Sequence, residues 1–243
     1  MMSASQKIHE RVDASKSYLV LELLKTLKKS HDYKTLSQLT GIPVSTMTRY
    51  INGRTIPRGR RVSHLLARLT ELVDVEKIVR ERVKNGPDGF DITSAISDDY
   101  ILRLVTAYFA SRLMASQVST ILAVDEPGIA LATALGLMLG KRFYFASERQ
   151  LWHDEMAVSV KYIIGESGER RILWIPRDAL KSRKSTLITA GVVSHPALFK
   201  AIHRVVTESG GYLSGICAIA STATALQELK PHLVGERHVI LAI

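Results

Sequence analysis

Ser45, Thr46, Thr48, Arg49 and Asn52 fall within eight residues and bring together short hydroxyls, a guanidinium and an amide. These are the groups that reach phosphates and base edges in a nucleic-acid groove. Arg54, Arg58, Arg60 and Arg61 follow directly and are spaced for phosphate contacts. A solvated helix start is the alternative reading of this basic run. The surrounding residues decide how this face is held. Leu36, Leu39, Ile42 and Val44 fill a seam between two short helices, and Met47 and Ile51 point inward at i, i+4. Gly41 stands where the first helix must end in a left-handed residue, Pro43 fixes the connection and Ser45 is the expected N-cap of the second. The expectation is a helix-turn-helix over Thr35–Pro57, with an ordinary helical hairpin as its alternative.

A second group of polar residues is spread over two loops. Asp125, Glu126 and Gly128 follow the apolar run TILAV, and Ser194, His195 and Ala197 lie between STLITA and ALFKAIHRVV. Loops that lead from buried strands into helices are where open α/β sheets bind their ligands. These six residues are therefore the candidate ligand set, with Ser194 and His195 able to hold an anion at a helix start. Trp152-His153-Asp154-Glu155 contains metal-capable groups, but adjacent residues rarely converge on one ion, so no metal site is expected. The eight histidines show no paired ligand spacing, and no nucleophile elbow is present. The lone cysteine, Cys217, reads as a buried strand residue and permits no internal disulfide.

The elements that must position these groups divide at Asn85–Asp91, a cluster of turn formers. Before it, Tyr18–Lys29, the two short helices and Arg58–Val83 read as a four-helix module, with a break near Asp74. After it, Ser97–Met114, Gly128–Leu139 and Pro196–Ser209 read as helices. Strands are expected at Thr120–Val124, Arg142–Ala146, Ser185–Ala190, Tyr212–Ala220 and His238–Ile243, with a hairpin of Val158–Gly165 and Arg170–Ile175. This gives an all-α helix-turn-helix domain over 1–85, a linker over 86–91 and an α/β domain with a mainly parallel sheet over 92–243.

Charge follows the same division. Residues 1–85 hold 17 Lys+Arg against 8 Asp+Glu, whereas residues 86–243 hold 16 against 15, so nearly all of the net +10 sits on the helical part. That is the electrostatic footprint of polyanion binding. The longest apolar run, Ile129–Leu139, is far shorter than the roughly 20 residues of a membrane span. The first residues have no apolar core after their charges, which argues against a secretory signal and for a cytoplasmic, nucleoid-associated protein.

From about Ile92 onward the order of elements resembles a type I phosphoribosyltransferase domain of the orotate or purine-regulator kind. AVDEPGIALATALGLMLG is similar to that family's pyrophosphate loop and its helix, WIPRDALKSRKSTLIT to the approach to its central strand, and TAGVVSHPA to its phosphate loop in length. In the family that strand ends in two acids contacting the ribose hydroxyls and an associated metal; Thr189 and Ala190 stand there instead. Pro196 replaces a residue whose N–H would close on the 5-phosphate. The Tyr50, Gly53 and Pro57 ending resembles that of phage-repressor-like helix-turn-helices. Together the two likenesses point to regulators such as the bacterial purine repressor and archaeal regulators of sugar metabolism. What they imply is a homodimeric DNA-binding transcriptional regulator that places helix 45–52 in the major groove of palindromic double-stranded DNA. Its α/β domain would be catalytically inactive, carry no cofactor and respond at most to a nucleotide or sugar-phosphate effector. A low-specificity architectural DNA-binding protein and an active phosphoribosyltransferase are the alternatives.

Overall fold

Every residue of Thr120–Ala123 is buried, the pattern of a strand covered on both faces. Its alternate side chains go to two different cores. Ile121, Ala123, Leu187, Cys217 and Ile219 pack on one side of the sheet, and Leu122, Ile188, Ala190, Ile216 and Ala218 pack on the other. In the computed structural model, which describes residues 4–29, 31–59, 61–86, 89–113, 116–165, 168–180, 184–229 and 236–242, these strands form the middle of the molecule.

Five helices come first: α1 (Ala4–Lys28), α2 (Tyr33–Thr40), α3 (Val44–Ile51), α4 (Arg61–Leu72) and α5 (Val75–Arg80). The turn-rich stretch that follows folds back as β1 (Lys84–Gly86) and β2 (Gly89–Asp91). Then come α6 (Thr93–Ser97), α7 (Asp99–Leu113), β3 (Thr120–Ala123), α8 (Glu126–Leu139) and β4 (Arg142–Phe145). An antiparallel hairpin of β5 (Ala157–Ile164) and β6 (Glu169–Pro176) precedes β7 (Ser185–Val193), α9 (Pro196–Glu208), β8 (Tyr212–Ser221), α10 (Ala223–Leu229) and β9 (Glu236–Ala242). The main sheet has the order β4-β3-β7-β8-β9, and all its pairings are parallel.

Most expected elements are present, and the differences have local causes. Helix α3 begins at Val44 with Pro43 as its cap, so Ser45 lies one turn position inside it and caps nothing. Val44 is 43% exposed and does not fill the seam; Leu36, Ile42 and Met47 do. Gly41 adopts φ 70° at the end of α2, and its N–H reaches the Ser37 carbonyl, as a left-handed cap requires. The break near Asp74 is a new helix start, with the Asp74 carboxylate accepting from the Lys77 N–H. Strand β7 runs on through Gly191–Val193, which were expected as loop, because Val192 and Val193 continue the ladder to Ala220 and Ser221 of β8. Arg60, Met114, Ile243 and the turn residues 87–88 and 166–167 lie outside the described residues.

The helical segment is not appended to the sheet by a tether alone. Leu23, Leu24 and Leu27 of α1 and Leu65, Leu66 and Leu69 of α4 share one apolar core with Phe109 of α7 and with Leu131 and Leu135 of α8. The other face of the sheet is covered by α9, α10 and the β5–β6 hairpin. Among the described residues no helix is long and apolar enough to cross a membrane.

Candidate functional site

The chain leaves β3 toward β4 on one side of the sheet, and β7 leads through α9 to β8 on the other. Such a reversal of strand order opens a crevice at the carboxyl ends of the two central strands. The loop after β3 carries Asp125 and Glu126, and the loop after β7 carries Ser194 and His195. A cleft of about 540 Å³ opens between them.

Asp125 is the hinge of this arrangement. It caps α8, accepting from the Gly128 N–H at 2.6 Å. The same carboxylate reaches β7, where both of its oxygens lie 2.9 Å from the Gly191 nitrogen. Burial pushes this carboxyl above its usual range, against the N–H donors that pull it down. Two glycines make the close approach feasible. A Cβ at Gly128 would stand 2.6 Å from Asp125 Oδ1 and 2.6 Å from the Thr189 carbonyl. A Cβ at Gly191 would stand 2.4 Å from Ile92 Cδ1 and 2.6 Å from Pro127 Cβ. Thr189 completes the clamp by donating its hydroxyl to the Gly128 carbonyl at 3.0 Å.

The structure therefore divides the candidate ligand residues. Glu126, Ser194 and His195 are exposed and line the cleft, whereas Asp125 lines it with both oxygens already engaged by backbone N–H groups. Gly128 is buried beneath the loop and serves its packing. Ala197 faces a neighbouring cavity of about 300 Å³ with Lys200 and Thr222, on the far side of the α9 start. Lys200 is held there by Glu228 at 3.0 Å.

Several lining residues were missed by the sequence reading. Ser147, Glu148 and Arg149 follow β4 directly, and the rule that picked the other loops would have found them. Phe145, Tyr162, Leu173, Leu198 and Phe199 supply an apolar wall, and Tyr162 and Leu173 come from the hairpin, which nothing local in the sequence places there. The hairpin is fastened to the end of β4 by a pair of backbone bonds: Ser147 N to the Trp174 carbonyl at 3.0 Å and Trp174 N to the Ser147 carbonyl at 2.7 Å. Arg171 adds side-chain bonds to Glu148 at 3.0 Å and Glu169 at 2.7 Å. Burial, with the nearby Glu148 charge, raises the Tyr162 hydroxyl above its ordinary value.

Thr189 and Ala190 are fully buried inside β7, which runs on to Val193, and offer no carboxylate to ribose hydroxyls or a metal. Among the described residues no three His, Cys, Asp or Glu side chains converge as a metal site. The donor set at that position does not fit the metal that the family resemblance implied. Trp152, His153 and Asp154 form a polar turn whose Trp152 ring packs 5.6 Å from that of Phe145.

The basic set is elsewhere. Ser45, Arg49, Asn52, Arg54, Arg58 and Arg61 are exposed on α3, the loop after it and the start of α4; Thr46 and Thr48 are half-buried, and Thr48 returns its hydroxyl to the Val44 carbonyl at 2.8 Å. None of them lines the cleft.

No family model and no curated protein matches the sequence. Solved structures do. The chain is similar to the adenine phosphoribosyltransferase of Rhodothermus marinus, with a TM-score of 0.61 and 19% identity over 70% of this chain and 98% of that one. The Thermoanaerobacter pseudethanolicus enzyme aligns at 0.61 and 17% over 69% and 99%. The Saccharomyces cerevisiae enzyme, solved with an imino-altritol bisphosphate and adenine, aligns at 0.59 and 12% over 69% and 98%.

These neighbours correct the reading of a DNA-binding transcriptional regulator, specific or architectural, with an inactive second domain. These solved neighbours are adenine phosphoribosyltransferases, and nothing in them supports DNA binding or transcriptional regulation. The physical reason lies in what the helices do. A basic polar helix face is also an ordinary solvated face, and here α1 and α4 spend their apolar sides covering the sheet through α7 and α8. The expectation of catalytic inactivity rested on Thr189, Ala190 and Pro196, and it did not include Glu148, which lines the cleft beside Glu126. The fold is that of a phosphoribosyltransferase-like parallel sheet with helices.

Proposed function

We propose that the chain is a phosphoribosyl-transferring enzyme whose substrates are a 5-phosphoribosyl diphosphate and a nucleobase. One observation carries this reading: the cleft at the strand-order reversal is walled by aromatic and aliphatic side chains and rimmed by Glu126, Glu148, Arg149, Ser194 and His195. The phosphorylated end fits at the start of α9, where the Ser194 and His195 side chains supply donors. The diphosphate fits against the start of α8 with Arg149 as its cation. The base fits the wall of Phe145, Tyr162, Leu173 and Phe199.

In the reaction a base nitrogen forms a bond to ribose C1 while the C1–oxygen bond breaks, its electron pair leaving on the diphosphate. The base N–H proton passes to a carboxylate, for which Glu148 is the candidate. Positive charge develops at the ribose ring, and Glu126 and Glu148 stand in for the acids absent at Thr189 and Ala190. The adenine phosphoribosyltransferase likeness makes adenine the first base to test.

The test incubates the full chain with phosphoribosyl diphosphate and each of adenine, guanine, hypoxanthine, orotate and uracil, and measures diphosphate release and nucleotide by chromatography. Base-dependent release that disappears in Glu148→Gln supports the proposal. Binding of phosphoribosyl diphosphate by calorimetry without release under any base would refute transfer and leave a binding cleft.

A further inference from the structure

We infer that the open edge of β9 is a docking groove for an extended peptide segment of another protein. Strand β9 ends the main sheet and, among the described residues, pairs only with β8. Helix α5 packs on one face of it, where Val75 and Val79 join Ile240 and Leu241, and α10 covers the other, where Ala225 and Leu229 share the core that Val239 packs against. A groove of about 510 Å³ opens between the two helices. Arg237, Val239, Ile240 and Ala242 of β9 all line it. Successive strand residues point to opposite faces, so a groove over one face would be lined by one alternate set only. Both sets appear here, 237 and 239 with 240 and 242, which places the groove along the strand's edge. That edge presents a row of backbone N–H and C=O groups, the template that strand addition uses.

Composition and charge select the occupant. Val239–Ala242 carry neither charge nor proline, the features that normally keep an edge from pairing. With Leu226 of α10 they offer apolar contact to alternate side chains of an added strand. Of the two charged residues lining the groove, Glu76 is held by Arg80 at 2.8 Å, and Arg237 stands exposed on the strand itself. The matching segment is therefore extended, apolar at alternate positions and acidic where it passes Arg237. A second copy of this chain fits less well. Pairing about a two-fold axis runs antiparallel and would bring each Arg237 to the apolar end of the other copy's strand, where Ile240–Ala242 offer no acid. The inference is independent of what the cleft at the strand-order reversal binds, since the two share no lining residue.

Panning the full chain against a phage-displayed library of short random peptides tests it. The expected sequences alternate apolar and polar residues and carry Asp or Glu at one end. A synthetic peptide of that sequence is then N-methylated at one backbone nitrogen at a time, and its binding is followed by fluorescence anisotropy. Methylation should weaken binding by about tenfold at every second residue and little in between, because a strand turns alternate N–H groups toward its neighbour. Arg237→Glu should weaken the acidic peptide by about tenfold and favour the same peptide with Lys in place of its acid. Circular dichroism and melting curves establish that the variant folds; if it fails to fold, the methylation series on the unmodified chain decides. Enrichment of no extended pattern, methylation effects without alternation, or an affinity indifferent to Arg237→Glu would each overturn the proposal. So would a concentration-dependent dimer in sedimentation velocity that the peptide dissolves, which would assign the edge to a second copy.

Discussion

Asp125 and Gly191, 66 residues apart in the chain, are joined by both oxygens of the carboxylate at 2.9 Å from the Gly191 nitrogen. With the Gly128 N–H on the same group, this one side chain fixes the loop after β3 to the body of β7. The two loops that rim the cleft are thereby held at one spacing, which makes Asp125 a positioning residue rather than a ligand-facing one.

Replacing Asp125 by Ala should cost about 2–4 kcal/mol, since it leaves the Gly128 and Gly191 N–H groups without their acceptor in a partly buried site. Asp125→Asn, which keeps one acceptor oxygen, should cost less. Calorimetric melting of the two variants checks the order; equal melting temperatures in all three proteins would show that the clamp contributes nothing.

The same carboxyl sets a pH dependence. Its folded value is raised above the ordinary 3.8, chiefly by burial, so the folded state binds the proton more tightly than the unfolded chain does. Stability from this group is therefore fully present below its unfolded value and is lost as pH rises through the raised folded value. Measured by denaturant titration in that acid window, the unmodified chain should show a downward component with rising pH that Asp125→Asn lacks. An identical profile in the variant would argue against it.

Glycine positions should separate by what surrounds them. Gly128→Ala meets the Thr189 carbonyl at 2.6 Å, a backbone atom that cannot rotate away, and should destabilise by about 2–3 kcal/mol or more. Gly41→Ala has nothing within 4 Å and carries only the strain of φ 70°, for which about 1 kcal/mol is expected. Urea midpoints of the two variants, compared at equal m-values, decide the ranking.

Arg149→Ala should raise the KM for phosphoribosyl diphosphate by roughly tenfold, because a charge-assisted contact to a phosphate is lost without any buried partner being exposed. Its melting temperature should stay unchanged. A KM that does not move would remove Arg149 from the proposed diphosphate site.

Arg171 offers the complementary case. Its bonds to Glu148 and Glu169 are exposed, so Arg171→Met should change stability by less than about 1 kcal/mol. It also frees Glu148 at the cleft rim, and the expected consequence is a change in kcat for transfer with little change in folding. Steady-state kinetics beside a melting curve distinguishes these effects.

Much of this was present in the residues themselves. The apolar runs of β3, β7 and β8, the periodic faces of α4 and α9, and the left-handed glycine ending α2 all follow from local preferences, and their order alone implied a parallel sheet. The candidate loops followed from one general rule about strand ends. Tertiary structure decided the rest. It engaged Asp125 with a backbone N–H 66 residues away, folded Tyr162 and Leu173 over the cleft, and pressed α1 and α4 into a core shared with α7 and α8. Those outcomes depend on which distant surfaces meet. Helical period and turn chemistry describe only neighbours in sequence, so they exposed the polar face of α3 to view and left its surroundings, and Glu148 beside the cleft, unread.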